Sequence, residues 1–420
     1  MCIRDSTNNM IIFKNFYIVI LFSKFEKILN FYYGICILYE SSKITCHSLI
    51  IIGFAARFFQ LISLNLQLKI GVMEFNVSFL KHISSIIAPS GYEKEVIDVW
   101  CKEISQYVDE INLTNIGNAV AVKYGCGDKR KKIMITAHAD EIGIIVTYID
   151  NNGYLYFDEI GGIDTNILPG RTVLIKGVDN NIVRGCIGVK PIHLQKESGS
   201  KQSLNPEDLW IDINVDNKDS ALKLVEIGNV GTLESLAYQQ GNKLIGKAMD
   251  NRCSLSAIVS IAQKLAKKEC NDDIYYIATT QEELRGRGAQ TAAFTINPDI
   301  CIVLDVTHAT DYPGMSPVRD GEINLGKGVV IAIGPNMDNE ITKKVVSLAK
   351  NLNLSYQLEV CARPTGTDAN VIQISRNGIC TLLLSIPCRY MHSPVETIDI
   401  EDLKSCCTLV TKLIENRYYL

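Results

Sequence analysis

No Cys-x-x-Cys pair occurs among the 14 cysteines of this chain, so the usual spacing of a structural zinc site is missing. The chain is also too long and too sparing of cysteine to be a disulfide scaffold. Cys406 and Cys407 are neighbours unsuited to bridging each other, and a reduced, cytoplasmic setting is the expectation. A basic surplus is absent: 42 Lys and Arg stand against 46 Asp and Glu, a net charge of -4, whereas a nucleic-acid binder presents a basic face. No apolar run reaches the roughly 18 to 20 residues that cross a bilayer, so no membrane partner is expected. Two tryptophans in 420 residues are few for the aromatic cleft of a polysaccharide hydrolase. No internal repeat is present.

Residues 1 to 72 differ in style from the rest of the chain. They hold two short apolar bursts, Ile18 to Phe22 and Leu49 to Ile52, the first broken by Lys14, Lys24 and Lys27 and the second closed by Arg57. Two bursts with a polar stretch between them fit a signal peptide poorly. At Met73 a helical pattern begins with Phe75, Val77, Phe79, Leu80 and Ile83. The expectation is that the native chain starts at Met73 and that 1 to 72 is a non-native or mistranslated extension. Without it the cysteine count is odd, which suits free thiols.

From Met73 onward, apolar strand-like runs alternate with helical ones. Strands are expected over 118–124, 132–136, 274–279, 300–304, 355–361 and 380–386. Helices are expected over 92–107, 251–268, 284–294, 340–352, 367–376 and 400–416. That alternation predicts an α/β fold, a mixed sheet covered by helices on both faces. Between about 144 and 242 the rhythm breaks into short strand-like runs between Gly and Asn turns, with one helical stretch at 218–225. This reads as a small, mostly-β domain inserted into a catalytic domain made of 73–143 and 243–420. Residues 194–206 are polar and predict a loop.

Five short segments carry potential chemistry. Thr136-Ala-His138-Ala-Asp140-Glu follows one strand, Gln281-Glu282-Glu283 another, Asp305 closes a third and Tyr390-Met-His392-Ser follows a fourth. Ligand sites of open α/β sheets form at the carboxyl ends of strands. The fifth segment, Ala248-Met-Asp250-Asn, precedes a helix. Singly, each has a plainer reading: a hydrogen-bonded structural His, a turn cap, a solvated Glu pair, an N-cap. Their conjunction at one sheet edge makes a nitrogen and oxygen ligand set suited to zinc, cobalt or manganese. In His138-x-Asp140 the Asp could fix the imidazole tautomer from behind.

Together with Gln281-Glu-Glu-Leu-Arg-Gly-Arg-Gly-Ala289, Leu304-Asp-Val-Thr307 and Met391-His-Ser-Pro-Val-Glu396, these segments resemble, in order, the co-catalytic metal aminopeptidases of the glutamyl and deblocking type. That family includes the tetrahedral peptidases and has often been labelled endoglucanase. The resemblance covers Met73 to Leu420 and implies a set of roles. His138, Asp250 and Asp305 would hold one divalent metal ion, and Asp250, Glu283 and His392 a second, with Asp250 bridging. Glu282 would be the general base acting on a water held between the metals, and Asp140 would partner His138. A cis peptide bond is implied between Asp250 and Asn251. Substrates would be short peptides with a free N-terminus. The inserted domain would make dimers that assemble into a dodecamer.

Arg363-Pro-Thr-Gly-Thr-Asp-Ala369 also resembles a family motif. It suits a backbone-lined pocket near the substrate, or an ordinary loop in which Thr367 caps a helix. The alternatives to an aminopeptidase are a glycoside hydrolase acting on cellulose, a non-catalytic metal-binding or assembly protein, and a carboxypeptidase or deacylase on the same scaffold.

Overall fold

The computed structural model describes residues 75–194 and 204–420, together with three short strands near the start, Ile3–Arg4, Ile11–Phe13 and Phe16–Ile18. The chain divides into two compact units, Met1–Val72 and Met73–Leu420. In the first, the three strands pair antiparallel in sequence order. The expectation about residues 1 to 72 otherwise lies outside the described residues, as does most of the loop expected over 194–206.

The second unit is organised by an eight-stranded sheet. Its strands are β1 Glu110–Leu113, β2 Ala119–Lys123, β3 Lys132–His138, β4 Asp273–Thr279, β5 Ile300–His308, β6 Val329–Ile333, β7 Tyr356–Val360 and β8 Cys380–Cys388. Their order across the sheet is β7-β6-β8-β5-β3-β4-β2-β1. The central four, β8, β5, β3 and β4, run parallel. Antiparallel pairing adds β2 and β1 on one side and joins β6 on the other. The sheet is mixed, as expected.

Period-two alternation explains why both faces are covered. In β4, Ile274, Tyr276 and Ala278 belong to the larger core while Ile277 faces the smaller one; in β5, Ile300, Ile302 and Leu304 divide from Cys301 and Val303 in the same way. The larger core is sealed by helices Val77–Ser85, Lys94–Ile104, Asn339–Asn351, Ile400–Glu415 and, at its centre, Met249–Ala266. That central helix buries nearly every residue, Arg252 included. Trimming its fully buried Leu255 to alanine is the kind of change that costs about 2–5 kcal/mol. The smaller core lies under Arg287–Ile296 and Ala369–Gln373.

The inserted region forms a closed six-stranded barrel, from Gly143–Ile149 through Val230–Leu233. Its own apolar core includes Ile144, Phe157, Val173 and Ile211. The last strand of the range read as inserted does not join it: Tyr238–Gln240 pairs with Lys243–Gly246, from the part read as catalytic, in a separate sheet completed by Glu396–Asp399. Glu396–Asp399 lies far along the chain, so that pairing is not legible in local pattern. Two other boundaries differ. Asp305 lies inside β5 rather than at its end, because Val306 to His308 continue the pairing with β8. The Glu282-Glu283 pair sits in a loop, and the helix begins only at Arg287.

Among the described residues, no helix is long and apolar enough to cross a membrane.

Candidate metal centre

Four of the five chemical segments reach one sheet edge because β3, β4, β5 and β8 are parallel and in register. His138 pairs across from Thr279, and Asp305 from Ser385. The fifth arrives from the start of Met249–Ala266. There the backbone of Asp250 and Asn251 is non-helical and the peptide bond between them is cis. Asn251 Nδ2 donates to the Leu304 carbonyl at 2.9 Å, tying this start to β5.

Asp250 is the centre of the cluster. One carboxylate oxygen, Oδ1, lies 3.0 Å from His138 Nε2, and the other, Oδ2, lies 3.4 Å from His392 Nε2. Asp305 Oδ1 is 3.7 Å from His138 Nε2, and Glu283 Oε1 is 3.2 Å from His392 Nε2. Two groups of potential ligands result, His138 with Asp250 and Asp305, and Asp250 with Glu283 and His392. Glu282 Oε2 stands 3.9 Å from His138 Nε2.

Both imidazoles are oriented from behind by carbonyl oxygens. His138 Nδ1 is 3.2 Å from the Asp140 carbonyl, and His392 Nδ1 is 2.7 Å from that of Gly162. A carbonyl only accepts, so each Nδ1 carries a proton and each Nε2 is the nitrogen turned to the centre, the orientation that suits histidine ligands. Asp140 does more than partner His138: its Oδ1 and Oδ2 accept the backbone N–H groups of Glu282 and Glu283 at 3.1 and 3.0 Å, and Ser90 donates its hydroxyl to Oδ2.

The electrostatics follow from crowding acids where water is scarce. Burial, with the charges of Asp305, Asp368 and Glu283, pushes the Glu282 carboxyl well up. Burial and Asp250 raise Glu283 as well, and Asp305 is driven up by burial and by Asp250. Burial alone would lift Asp250, but hydrogen bonds from both histidines hold it below the usual carboxylate range. Burial works against charge on His392, yet Asp250 and Glu283 raise it to about 11. Buried acids at this density call for cations beside them. The donor set, imidazole nitrogen and carboxylate oxygen without thiolate, suits zinc-like divalent ions, so the residues fit a metal centre.

The family model described as M42 glutamyl aminopeptidase matches residues 117–409. The chain belongs to that family. A lysyl aminopeptidase of Pyrococcus furiosus is 33% identical over 342 residues, covering 80% of this chain and 96% of the relative. Among solved structures, an aminopeptidase from the archaeon Desulfurococcus kamchatkensis is 32% identical with a TM-score of 0.76, covering 81% of this chain and 94% of that one. The TET1 peptidase of Pyrococcus horikoshii, which can assemble into a tetrahedron or a large octahedral shell, is 30% identical with a TM-score of 0.71, covering 80% and 98%. This M42 chain is an aminopeptidase, a hydrolase of peptide bonds and a metallopeptidase by family, which decides against the glycoside hydrolase alternative.

Three further buried acids stand near the centre; Glu396 and Asp368 lie inside quoted motifs, but which backbone or hydroxyl group each one meets is not written in them. Glu396 accepts the backbone N–H of Asp250 at 3.0 Å and that of His392 at 2.8 Å, one oxygen each. Glu93 accepts from Gln281 at 2.9 Å. Asp368 accepts the Thr279 hydroxyl at 2.7 Å, and burial raises it to about 6. Thr367 does not cap the helix after it; its hydroxyl pairs with that of Thr365 at 2.9 Å. An acid beside a helix start looks solvated in sequence, and only the long-range partner reveals otherwise.

Proposed function

We propose that this aminopeptidase removes single residues from the free N-terminus of short peptides at a centre of two divalent cations, zinc or cobalt, or manganese. His138, Asp250 and Asp305 would hold one, and Asp250, Glu283 and His392 the other. The observation that carries this reading is the split of the Asp250 carboxylate, one oxygen toward each histidine. When bound, such a pair polarises a carbonyl and makes water acidic enough to yield a nucleophile near neutral pH.

The chain's own groups supply the rest. Glu282 accepts the proton of the attacking water and returns it to the leaving amine. Asp140 keeps His138 aimed and pins the loop that carries Glu282. The pocket beside Asp250, Glu283 and His392 has apolar walls of Ile142, Ile163 and Leu233, and we assign it to the N-terminal residue of the substrate. We assign the barrel a dimerisation role, with dimers building a dodecamer; what supports assembly as such is that the Pyrococcus horikoshii relative can form a tetrahedron or a large octahedral shell.

The test of the base is Glu282→Gln in the purified protein. Hydrolysis of aminoacyl-coumarin substrates should fall by about 10²–10⁴-fold, while metal per chain stays at the wild-type level. Wild-type turnover in that variant would remove Glu282 from the role.

A further inference from the structure

The first turn of the loop that carries Glu282 is held by side chains from elsewhere. Four consecutive backbone N–H groups donate to carbonyl or carboxylate oxygens of three residues. Thr280 donates to Asn118 Oδ1 at 3.0 Å, Gln281 to Glu93 Oε1 at 2.9 Å, and Glu282 and Glu283 to the two oxygens of Asp140 at 3.1 and 3.0 Å. Within the loop, Gly286, Arg287 and Gly288 donate back to the carbonyls of Glu282, Gln281 and Thr280. Gly288 is required there, because a Cβ would stand 2.3 Å from the Thr280 carbonyl oxygen.

One link in that row bears the least favourable backbone. Gln281 has φ 56, in the left-handed region that a residue with a Cβ seldom occupies. Its N–H donates to Glu93. Glu93 is itself 4% exposed. It stands at the N-cap of Lys94–Ile104 yet makes no side-chain bond to that helix. Its Oε1 instead accepts from Gly91 at 2.7 Å and from Gln281. Burial and the nearby Asp140 charge raise its carboxyl to about 7, so the position is a costly one for an acid whose only task was to close a turn.

We propose that Glu93 is a positioning residue for the general base: by accepting the Gln281 N–H it holds the left-handed turn that aims Glu282 at the centre. This rests on Glu282 being the general base. What Glu93 contributes is an acceptor at one place, so an amide oxygen at the same place should serve nearly as well, and a methyl should not.

The test compares Glu93→Gln and Glu93→Ala in the full chain with metal bound. A displacement of about 1 Å in a reacting group can cost on the order of 100-fold. Glu93→Ala should therefore lose about 10–100-fold in kcat, with KM within about twofold and metal per chain unchanged. Glu93→Gln should recover to within about threefold of wild type. Added to Glu282→Gln, the alanine change should cost nothing further, because Glu93 acts through Glu282. An alanine variant with wild-type kcat would overturn the proposal. So would a glutamine variant as slow as the alanine one, or an alanine loss that adds in full to Glu282→Gln. If Glu93→Ala does not fold, Glu93→Asp retracts the same acceptor, and wild-type kcat there has the same adverse meaning. A normally active Glu282→Gln single variant would instead reject the base assignment, so the two failures are distinct.

Discussion

His138 and His392 face the same carboxylate from opposite sides, and the fold supports them in different ways. His138 ends β3 with its side chain 2% exposed, and its Nδ1 partner is Asp140, two residues on. His392 lies in the loop after β8 with its side chain 32% exposed and φ 60. Its Nδ1 partner is the Gly162 carbonyl, just beyond the barrel strand Leu155–Ile160. One half of the centre is thus built within the sheet. The other is completed by the inserted barrel, 230 residues away along the chain. A ligand fixed by a neighbour in sequence needs only its strand to form; a ligand fixed across domains needs both domains folded and docked.

The largest expected effect breaks the symmetry between the two. His138→Ala removes a proposed ligand from the buried group and leaves Asp250, Glu282 and Asp305 crowded without their imidazole. Activity should fall by at least about 10³-fold. His392→Ala should lose the cation of its own group, keep the other, and recover part of its activity when excess metal is added. Assays across a metal titration check both; equal responses of the two variants would erase the distinction.

This contrast also marks what is legible in the sequence. His138 and the Glu282-Glu283 pair follow readable strands, and Asp250, Asp305 and His392 stand out through their motifs. Asp305 reads as the end of its strand, because an acid normally stops an apolar run; burial beside His138 lets the strand continue to His308. β6, Val329–Ile333, is an apolar run easily overlooked between longer elements. Glu93 and Glu396 are invisible in their roles, since each accepts backbone N–H groups from residues distant in sequence. Strand period and helix spacing report which face a residue takes. They do not report which remote amide it meets.

A smaller effect sharpens the barrel's part. Gly161 has φ +81, and a Cβ there would lie 2.9 Å from Ile142 Cγ2 and 3.2 Å from Glu283 Oε2. Gly161→Val should displace Gly162 and loosen the backing of His392. Metal affinity of the second group should weaken by about 10–100-fold, as loss of an orienting partner does, while the His138 group keeps its own. Competition with a chelator reads this directly.

The smallest effect concerns the base of the His392 loop, where Arg389 makes two 2.6 Å contacts with Asp311. Burial pushes the Asp311 carboxyl up, but Arg389 and the Leu325 N–H more than offset it and hold it below its ordinary range. The folded chain therefore takes up that proton less readily than the unfolded chain. The resulting stability is present above the ordinary carboxylate range and is lost as pH falls from there through the lowered folded value. Asp311→Asn should be less stable than wild type at pH 7, with the gap closing below about pH 4. Thermal melts over that range check the sign.

The most direct measurement of the shared carboxylate is the metal content of purified chains by mass spectrometry, in wild type, His392→Ala and Asp250→Ala. The expected result is two divalent ions per chain in the first, one in the second and none in the third. An Asp250→Ala chain that still holds two ions would contradict the account, because the two groups would then stand without the residue that joins them.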